Sequence, residues 1–507
     1  MRIGGLASGI DTDTIIKDLM KAERMPLDKM EQDKIKFEWK RDAFRDINKQ
    51  VAEIEKMITD MRLNSSMINA KTISSTMGNA VTATGSSSAT NGSYEIAVTQ
   101  LAKNAINVGT GKVGKDVDLS NYVDEEITFY TYGEAYTTED GTEVAEGMQA
   151  RTFTINEGDT LKDVLKKIES ADKNVRAFYD EQTQQVVLET KRSGDYNTDS
   201  NKYGGKEIGF DDDSFFTNVL KMDLGEEQGG TNAKFTYNGV LELESKENRY
   251  TLNGITFEFK DTTGTVDNPQ SAKLTVSNDV DTAVENITKL VTKYNELVES
   301  LNSSQQEQRY RDFPPLTNAQ REEMSENEIE LWEEKAKSGL LKGESIITSS
   351  LFDVRQGWYQ TVENGSQFKL LTDIGLSTTK DYLDGGKLEI NEGDLRTALT
   401  NDPESVQKLL LNNVEGEGRG LLNRLEDSLE NTIGRIEKHA GKGSYTSEMY
   451  TIGRRMDDLD GRISAFEDKL TRIEDRYWRQ FSAMEQAISR MNNQSAMLMN
   501  AFGGGTM

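Results

Sequence analysis

Apolar residues recur at steps of seven or of alternating three and four in three long stretches, each embedded in charge. The first holds Met30, Phe37, Phe44, Ile47, Val51, Ile54, Ile58 and Met61. The second holds Val280, Val284, Ile287, Val291, Tyr294, Val298 and Leu301. The third runs Ile452, Met456, Leu459, Ile463, Phe466, Leu470, Ile473, Tyr477 and, after a four-residue step, Phe481, Met484, Ile488, Met491 and Leu498. This spacing marks a helix with an apolar seam turned toward another helix. The doubled step at Tyr477 predicts a local change of supercoil. Helical throughout, Met30 to Leu63 spans about 50 Å, and each buried seam side chain contributes roughly 1.5–3 kcal/mol. A plain helical-bundle core gives the same pattern. Pro26 precedes the first seam and is expected to kink or separate an opening helix, Thr12 to Arg24, because proline lacks the amide a helix interior needs.

Between about Gly78 and Asn278 the period changes to two. Tyr94–Val98, Ile127–Tyr130, Gln185–Leu188, Phe235–Tyr237 and Ile255–Phe259 read as strands. Asp140-Gly141, Asn238-Gly239 and Asn253-Gly254 read as hairpin turns. One short helix is predicted there, capped by Asp159 or Thr160, with Leu161, Val164, Leu165 and Ile168 on one side. Further on, a helix is expected over Glu326–Ala336. A hairpin is expected from Ile374–Ser377 and Leu388–Ile390 around Asp384-Gly385-Gly386. Asp402-Pro403 should start another helix.

The predicted fold is therefore α+β and multidomain: an antiparallel helical, coiled-coil leg built from both chain ends, with inserted β-rich head domains. The expected division is a terminal helical part (1–40 with 450–507), a helical leg with a β-hairpin (41–77 with 279–449), and a β-rich head (78–278) of two lobes, consecutive or interleaved. The expected coiled-coil core is Phe44, Ile47, Val51, Ile54, Val284, Ile287, Val291, Ile463, Phe466, Leu470 and Ile473. The ends differ. Ile15, Ile16, Leu19 and Met20 form a short apolar face, and the tail from Ala496 is small and Met-rich. Such ends bury too little surface to offset ordering entropy and should fray in a single copy. Ile15, Ile16, Leu19, Met20, Phe481, Met484, Ile488, Met491 and Leu498 are thus the candidate assembly surface.

Composition narrows the chemistry. Net charge is −27, from 87 acidic and 60 basic residues, a field that repels nucleic acid and anionic membranes. There is no cysteine and one histidine, His439, so disulfides and thiolate or multi-histidine metal sites do not arise. Hydropathy offers no membrane span and no cleavable secretory signal. Gly4-Gly5 with Gly9, and Gly441-Lys442-Gly443-Ser444, lack the spacing of nucleotide-binding loops. Asp211-Asp212-Asp213 lacks the alternation of a calcium loop and reads as solvated acid. His439, near the end of an amphipathic helix, reads as exposed or helix-terminal. Tyr477-Trp478 between Arg476 and Arg479 reads as packing. No catalytic residue, cofactor or metal is expected.

Ser8-Gly9-Ile10-Asp11-Thr12, then Leu19-Met20 and Glu23-Arg24-Met25-Pro26, resembles the N-terminus of the flagellar filament cap proteins, the hook-associated protein 2 family. Arg476-Tyr477-Trp478-Arg479-Gln480-Phe481 and Ser489-Arg490-Met491-Asn492-Asn493-Gln494-Ser495 are similar to that family's C-terminal signature. Asp373–Leu376 through Asp402-Pro403 resembles its leg domain, and Thr152–Ser193 a small β-α-β repeat of flagellar axial proteins. Ser303–Lys337 departs from the pattern and reads as an insertion. The resemblance implies a secreted protein, exported by the flagellar route without a cleaved signal. It implies an oligomeric ring at the distal tip that helps flagellin fold and polymerise and prevents its loss. Its implied partners are further copies of itself, flagellin, the hook–filament junction protein and an export chaperone. Adhesion to host mucus is known for some members. Another flagellar axial protein (flagellin or the junction protein) and a secreted adhesin are the competing readings.

Overall fold

Asp11 caps the first helix, its carboxylate accepting from the Thr14 amide at 3.1 Å, and the helix then runs unbroken for 52 residues as α1 (Thr12–Leu63). The computed structural model describes residues 11–138, 141–265, 268 and 270–503. Pro26 lies inside α1 and does not separate it, contrary to expectation. The carbonyl that proline leaves without an amide partner belongs to Ala22, and Ala22, Met25 and Pro26 all face solvent, where water can satisfy it. Buried Ile16 and Leu27 hold the helix on either side.

The chain forms two bodies, residues 69–279 and the remainder. The inserted body begins before residue 78, because its first strand pairs with its last. Its elements are β1 (Lys71–Ser75), β2 (Val81–Gly85), β3 (Gly92–Gln100), β4 (Asn104–Val108), β5 (Glu126–Gly133), β6 (Tyr136–Thr137) and β7 (Glu143–Val144). After them come β8 (Gly147–Thr154), α2 (Leu161–Ala171), β9 (Val175–Asp180), β10 (Gln185–Ser193), β11 (Ile208–Gly209) and α3 (Phe215–Asn218). It ends with β12 (Ala233–Tyr237), β13 (Leu241–Ser245), β14 (Arg249–Leu252), β15 (Ile255–Phe259) and β16 (Ala272–Asn278). Every strand expected from alternation falls inside one of these.

The two lobes are nested rather than consecutive. Sheets β1-β16-β3-β12-β13 and β14-β15-β2 enclose one core that includes Val81, Ile96, Phe235, Phe257 and Leu274. Asn238-Gly239 and Asn253-Gly254, with φ of 51° and 69°, and 49° and 76°, make the two-residue turns whose twist suits hairpins. β3 and β12 are neighbours, and the chain between them leaves to build the second lobe and returns. That lobe combines sheets β4-β10-β9 and β11-β5-β8 with α2 and α3 around Phe129, Val164, Ile168, Leu188 and Phe216. Thr160 and Asp163 form the capping box of α2, which buries the four predicted apolar residues.

The helical body continues with α4 (Val280–Gln306), α5 (Asn318–Glu322), α6 (Glu326–Lys337), α7 (Ser345–Gly357), β17 (Leu376–Thr378), β18 (Leu388–Ile390), α8 (Glu392–Asn401), α9 (Pro403–Leu411), α10 (Leu421–Ala440) and α11 (Thr451–Gly503). Ser325 caps α6, and Asp402 caps α9 with Pro403 in its first turn. The β17–β18 pair is joined by a nine-residue connection rather than a tight turn, and Leu371–Ile374 is a 3-10 turn, not strand. Phe44, Ile47, Val51 and Ile54 of α1 share one core with Val284, Ile287 and Val291 of α4 and Leu422, Leu425 and Leu429 of α10. α1 meets both antiparallel. Lys293 approaches Glu53 at 3.7 Å, and Arg45 donates to the Ala440 carbonyl at 3.1 Å. α1 passes residue 40 without a break, so the two helical parts expected from sequence form one body.

Candidate assembly surface

The first half of α1 leaves the shared core and pairs antiparallel with α11. Lys34 Nζ donates to Asp460 Oδ1 at 2.5 Å, and the Tyr477 hydroxyl donates to Glu23 Oε1 at 3.0 Å. The Arg455 guanidinium lies 5.7 Å from the centre of the Phe37 ring. Burial between the helices pushes the Glu31 carboxyl up, with Glu467 adding to the shift and Arg24 opposing it. The bond to Asp460 pushes the Lys34 ammonium up.

In line with Glu23, at the same helical spacing, α1 carries the buried Thr12, Ile16 and Leu27 and the half-buried Met20. On α11, Leu459, Leu470 and Ile473 are buried, while Ile463, Phe466 and Tyr477 are half-buried. A two-helix contact covers a seam less fully than the many-helix core that buries Phe44 and Val291. Beyond Tyr477 the cover falls away. Phe481 and Ile488 are half-buried, but Met484 is 36%, Met491 65% and Leu498 56% exposed. Continued at the register of the Glu23–Tyr477 bond, Thr12 lies level with about residue 488. α11 therefore runs past the first described residue of its partner by roughly 20 Å.

This geometry corrects two expectations. Ile16 is 3% exposed and already occupied within the chain, whereas Ile15 and Leu19 on its flank remain open and Met20 is half-buried. Helix also persists over 12–24 and 496–503, where fraying was expected. Residues 1–10 and 504–507 lie outside the described residues. Sequence reasoning missed Leu27, although the steps Ile16, Met20, Glu23, Leu27 carry the four-three-four signal. Pro26 beside it argued against a continuous helix.

His439 sits in the last turn of α10, half-buried and edge-on to Phe44 at 5.0 Å. Burial pushes its pKa down, countered by Glu344 and reinforced by Lys40 and Arg455. Among the described residues no group of side chains is arranged to hold a metal ion, and no helix is long and apolar enough to cross a membrane.

A helical body with an inserted β-rich body, and a seam that runs past the described part of its partner, defines the class of protein, and comparison with known proteins supplies the family. Residues 8–105 match the model of the flagellar hook-associated protein 2 N-terminus, and residues 230–493 that of its C-terminus. The flagellar hook-associated protein 2 of Halalkalibacterium halodurans is 37% identical over 541 residues, covering 99% of this chain and all of that protein. That of Thermotoga maritima is 23% identical, covering 99% and 96%. The crystal structure of the flagellar cap protein FliD D1-D2-D3 domains from Escherichia coli shares the fold, with a TM-score of 0.55 at 18% identity over 82% of this chain and 99% of that one. The chain belongs to the flagellar hook-associated protein 2 family, whose members are structural cap proteins of the flagellar filament.

Proposed function

We propose that this protein caps the growing flagellar filament as an oligomeric ring, promotes the folding and polymerisation of flagellin beneath it and prevents loss of subunits. Family membership supports the capping role. The observation that carries the mechanism is the unfinished seam of α11, where Met484, Met491 and Leu498 stand exposed on a helix whose earlier turns are paired. An apolar stripe at heptad spacing is completed by another helix face, and the partners in question are neighbouring caps and filament subunits. Contacts of this kind are individually weak, so the ring can release and re-engage as each subunit inserts. The free energy of flagellin folding supplies the work. Export proceeds by the flagellar route, with an export chaperone covering the ends and the hook–filament junction protein receiving the cap before the first flagellin arrives.

The test is deletion of residues 490–507, or of 1–24, in a motile strain. Filament growth should be lost while the 69–279 body keeps its own unfolding transition. Full-length filaments grown with either truncated protein would overturn the reading.

A further inference from the structure

Between α4 and α7 the chain makes a closed excursion, residues 307–338, that holds α5 and α6. Bonds across its base close it. Ser338 Oγ donates to the Gln308 carbonyl at 2.6 Å, the Gly339 amide to Glu307 Oε2 at 2.7 Å, and Gln305 Nε2 to the Leu341 carbonyl at 2.9 Å. Capping boxes at Thr317 and Ser325 fix the starts of both helices. The Phe313 and Trp332 rings stand 4.7 Å apart, and the Trp332 indole donates to the Pro314 carbonyl at 2.7 Å. The stretch whose sequence reads as an insertion is therefore a built element. None of residues 307–338 belongs to the shared helical core; even buried Leu316 lies outside it.

The excursion reaches α1 instead. Gln32 Nε2 donates to Gln320 Oε1 at 3.2 Å, and the Lys337 ammonium lies 4.8 Å from the centre of the Trp39 ring. Burial, and after it the Arg309 guanidinium, pushes the Lys36 ammonium down. Gln32, Lys36 and Trp39 follow steps of four and three, so they share one face of α1. At 3.6 residues per turn that face lies opposite Lys34 and Phe37, which meet Asp460 and Arg455 of α11. α1 is gripped from both sides here, and every residue from Glu31 to Lys40 except Asp33 is half-buried. Between Thr12 and Pro26 the cover is one-sided: Thr12, Ile16, Met20 and Glu23 are covered and the rest are exposed. A helix packed along one stripe opens locally at lower free energy than one packed on two sides.

We propose that the 307–338 excursion is a strap that grips α1 at Gln32 and Trp39, clamps it against α11 over residues 31–40, and fixes the point beyond which the terminal helices loosen. The inference rests on the release and re-engagement of those helices proposed above and sets its inner limit.

Hydrogen exchange on dilute full-length protein tests the strap. In the parent chain, amides of 31–40 should exchange with those of 44–61, and at least about tenfold more slowly than those of 12–26. Two variants remove the strap in different ways. One joins Gln308 to Ser338 through a short glycine–serine linker, which the bonded base allows. The other, Gln32→Ala/Trp39→Ala, keeps the excursion and removes its hold. Alanine favours helix, so faster exchange there reports lost cover. In both, exchange at 31–40 should rise by about tenfold or more to join that of 12–26, while 44–61 and 69–279 keep the parent's protection. Unchanged exchange at 31–40 in the linker variant overturns the strap and shows that α11 alone holds α1. Protection lost across 44–61 as well overturns it by making the excursion part of the core. A response to the linker but not to the alanines overturns the grip at Gln32 and Trp39. Uniform exchange along 12–40 in the parent overturns the boundary itself. These readouts come from single copies, so none of them decides the deletion test of capping, and full-length filaments in that test would leave the strap standing.

Discussion

Tyr294 shows how much a single polar atom can hold in the helical core. Its side chain is buried, its ring stands edge-on to Trp358 at 5.4 Å, and its hydroxyl donates to the Gly386 carbonyl at 2.9 Å. Tyr294→Phe keeps the packing but leaves a buried carbonyl without a donor, so the helical body should lose about 1–3 kcal/mol in urea denaturation. An unchanged midpoint would show that water reaches Gly386. Titrating residues set opposite slopes in the two bodies. Burial pushes the Glu227 carboxyl up to about 6, although it accepts the Glu207 and Ile208 amides. Burial also raises Glu207. A folded-state pKa raised above the unfolded value gives stability that is complete below about 4.5 and lost as pH climbs through 6. The 69–279 body should therefore gain stability on acidification from pH 7 to 5. His439 is depressed, so the folded helical body binds its proton less readily than the unfolded chain does. Its contribution is complete above about 6.5 and falls as pH drops below that value. Calorimetry of Glu227→Gln and His439→Gln should flatten the corresponding transition's pH slope and leave the other intact. Parallel slopes in variant and parent would rule out these residues as the source.

At the scale of elements, three stretches with the same spacing do different work. Phe44, Val51 and Val291 disappear into the many-helix core of the helical body, Leu470 and Ile473 into a two-helix pair, and Met491 and Leu498 stand exposed with no cover among the described residues. Heptad spacing was legible because the 3.6-residue turn forces it. The number of helices meeting each seam was not, since that depends on which elements the chain brings alongside. Pro26 misled because local chemistry opposes helix there, while Leu27 packing and the Glu23–Tyr477 bond override it. Replacing Leu27 or Leu470 by Ala should cost about 2–3 kcal/mol, at the low end for buried leucine because the pair is thin. Met491→Ala and Leu498→Ala should change the stability of a single copy by less than about 0.5 kcal/mol yet weaken assembly measured by sedimentation. Equal stability losses at all four positions would mean that the last turns of α11 are covered within the chain.

For the molecule as a whole, strands were readable from alternation and turns, but their partners were not. β1 finds β16 and β3 finds β12 across most of the insert, and nothing local to those strands encodes the pairing. The nesting of the lobes follows from those two pairings alone. It also makes a demand on independence. Lys71 and Asn278 face each other across β1 and β16, and the Asp279 amide donates to the Ala70 carbonyl at 2.8 Å, so the insert leaves and re-enters the helical body through one neck. Its two apolar cores are made wholly from its own residues, and about 210 residues is ample for a self-sufficient fold. Expressed alone, residues 69–279 should fold with native near-ultraviolet circular dichroism and a melting temperature within a few degrees of that body's transition in the full chain. The nested lobe, joined through β4, Gln228 and the Lys103–Thr231 bridge, should melt with it or just before it. A fragment with strand content but no fixed aromatic environment would show that the helices are needed to close the neck. The two bodies would then be one folding unit, and a cap could not loosen its terminal helices during stepping while keeping its head intact.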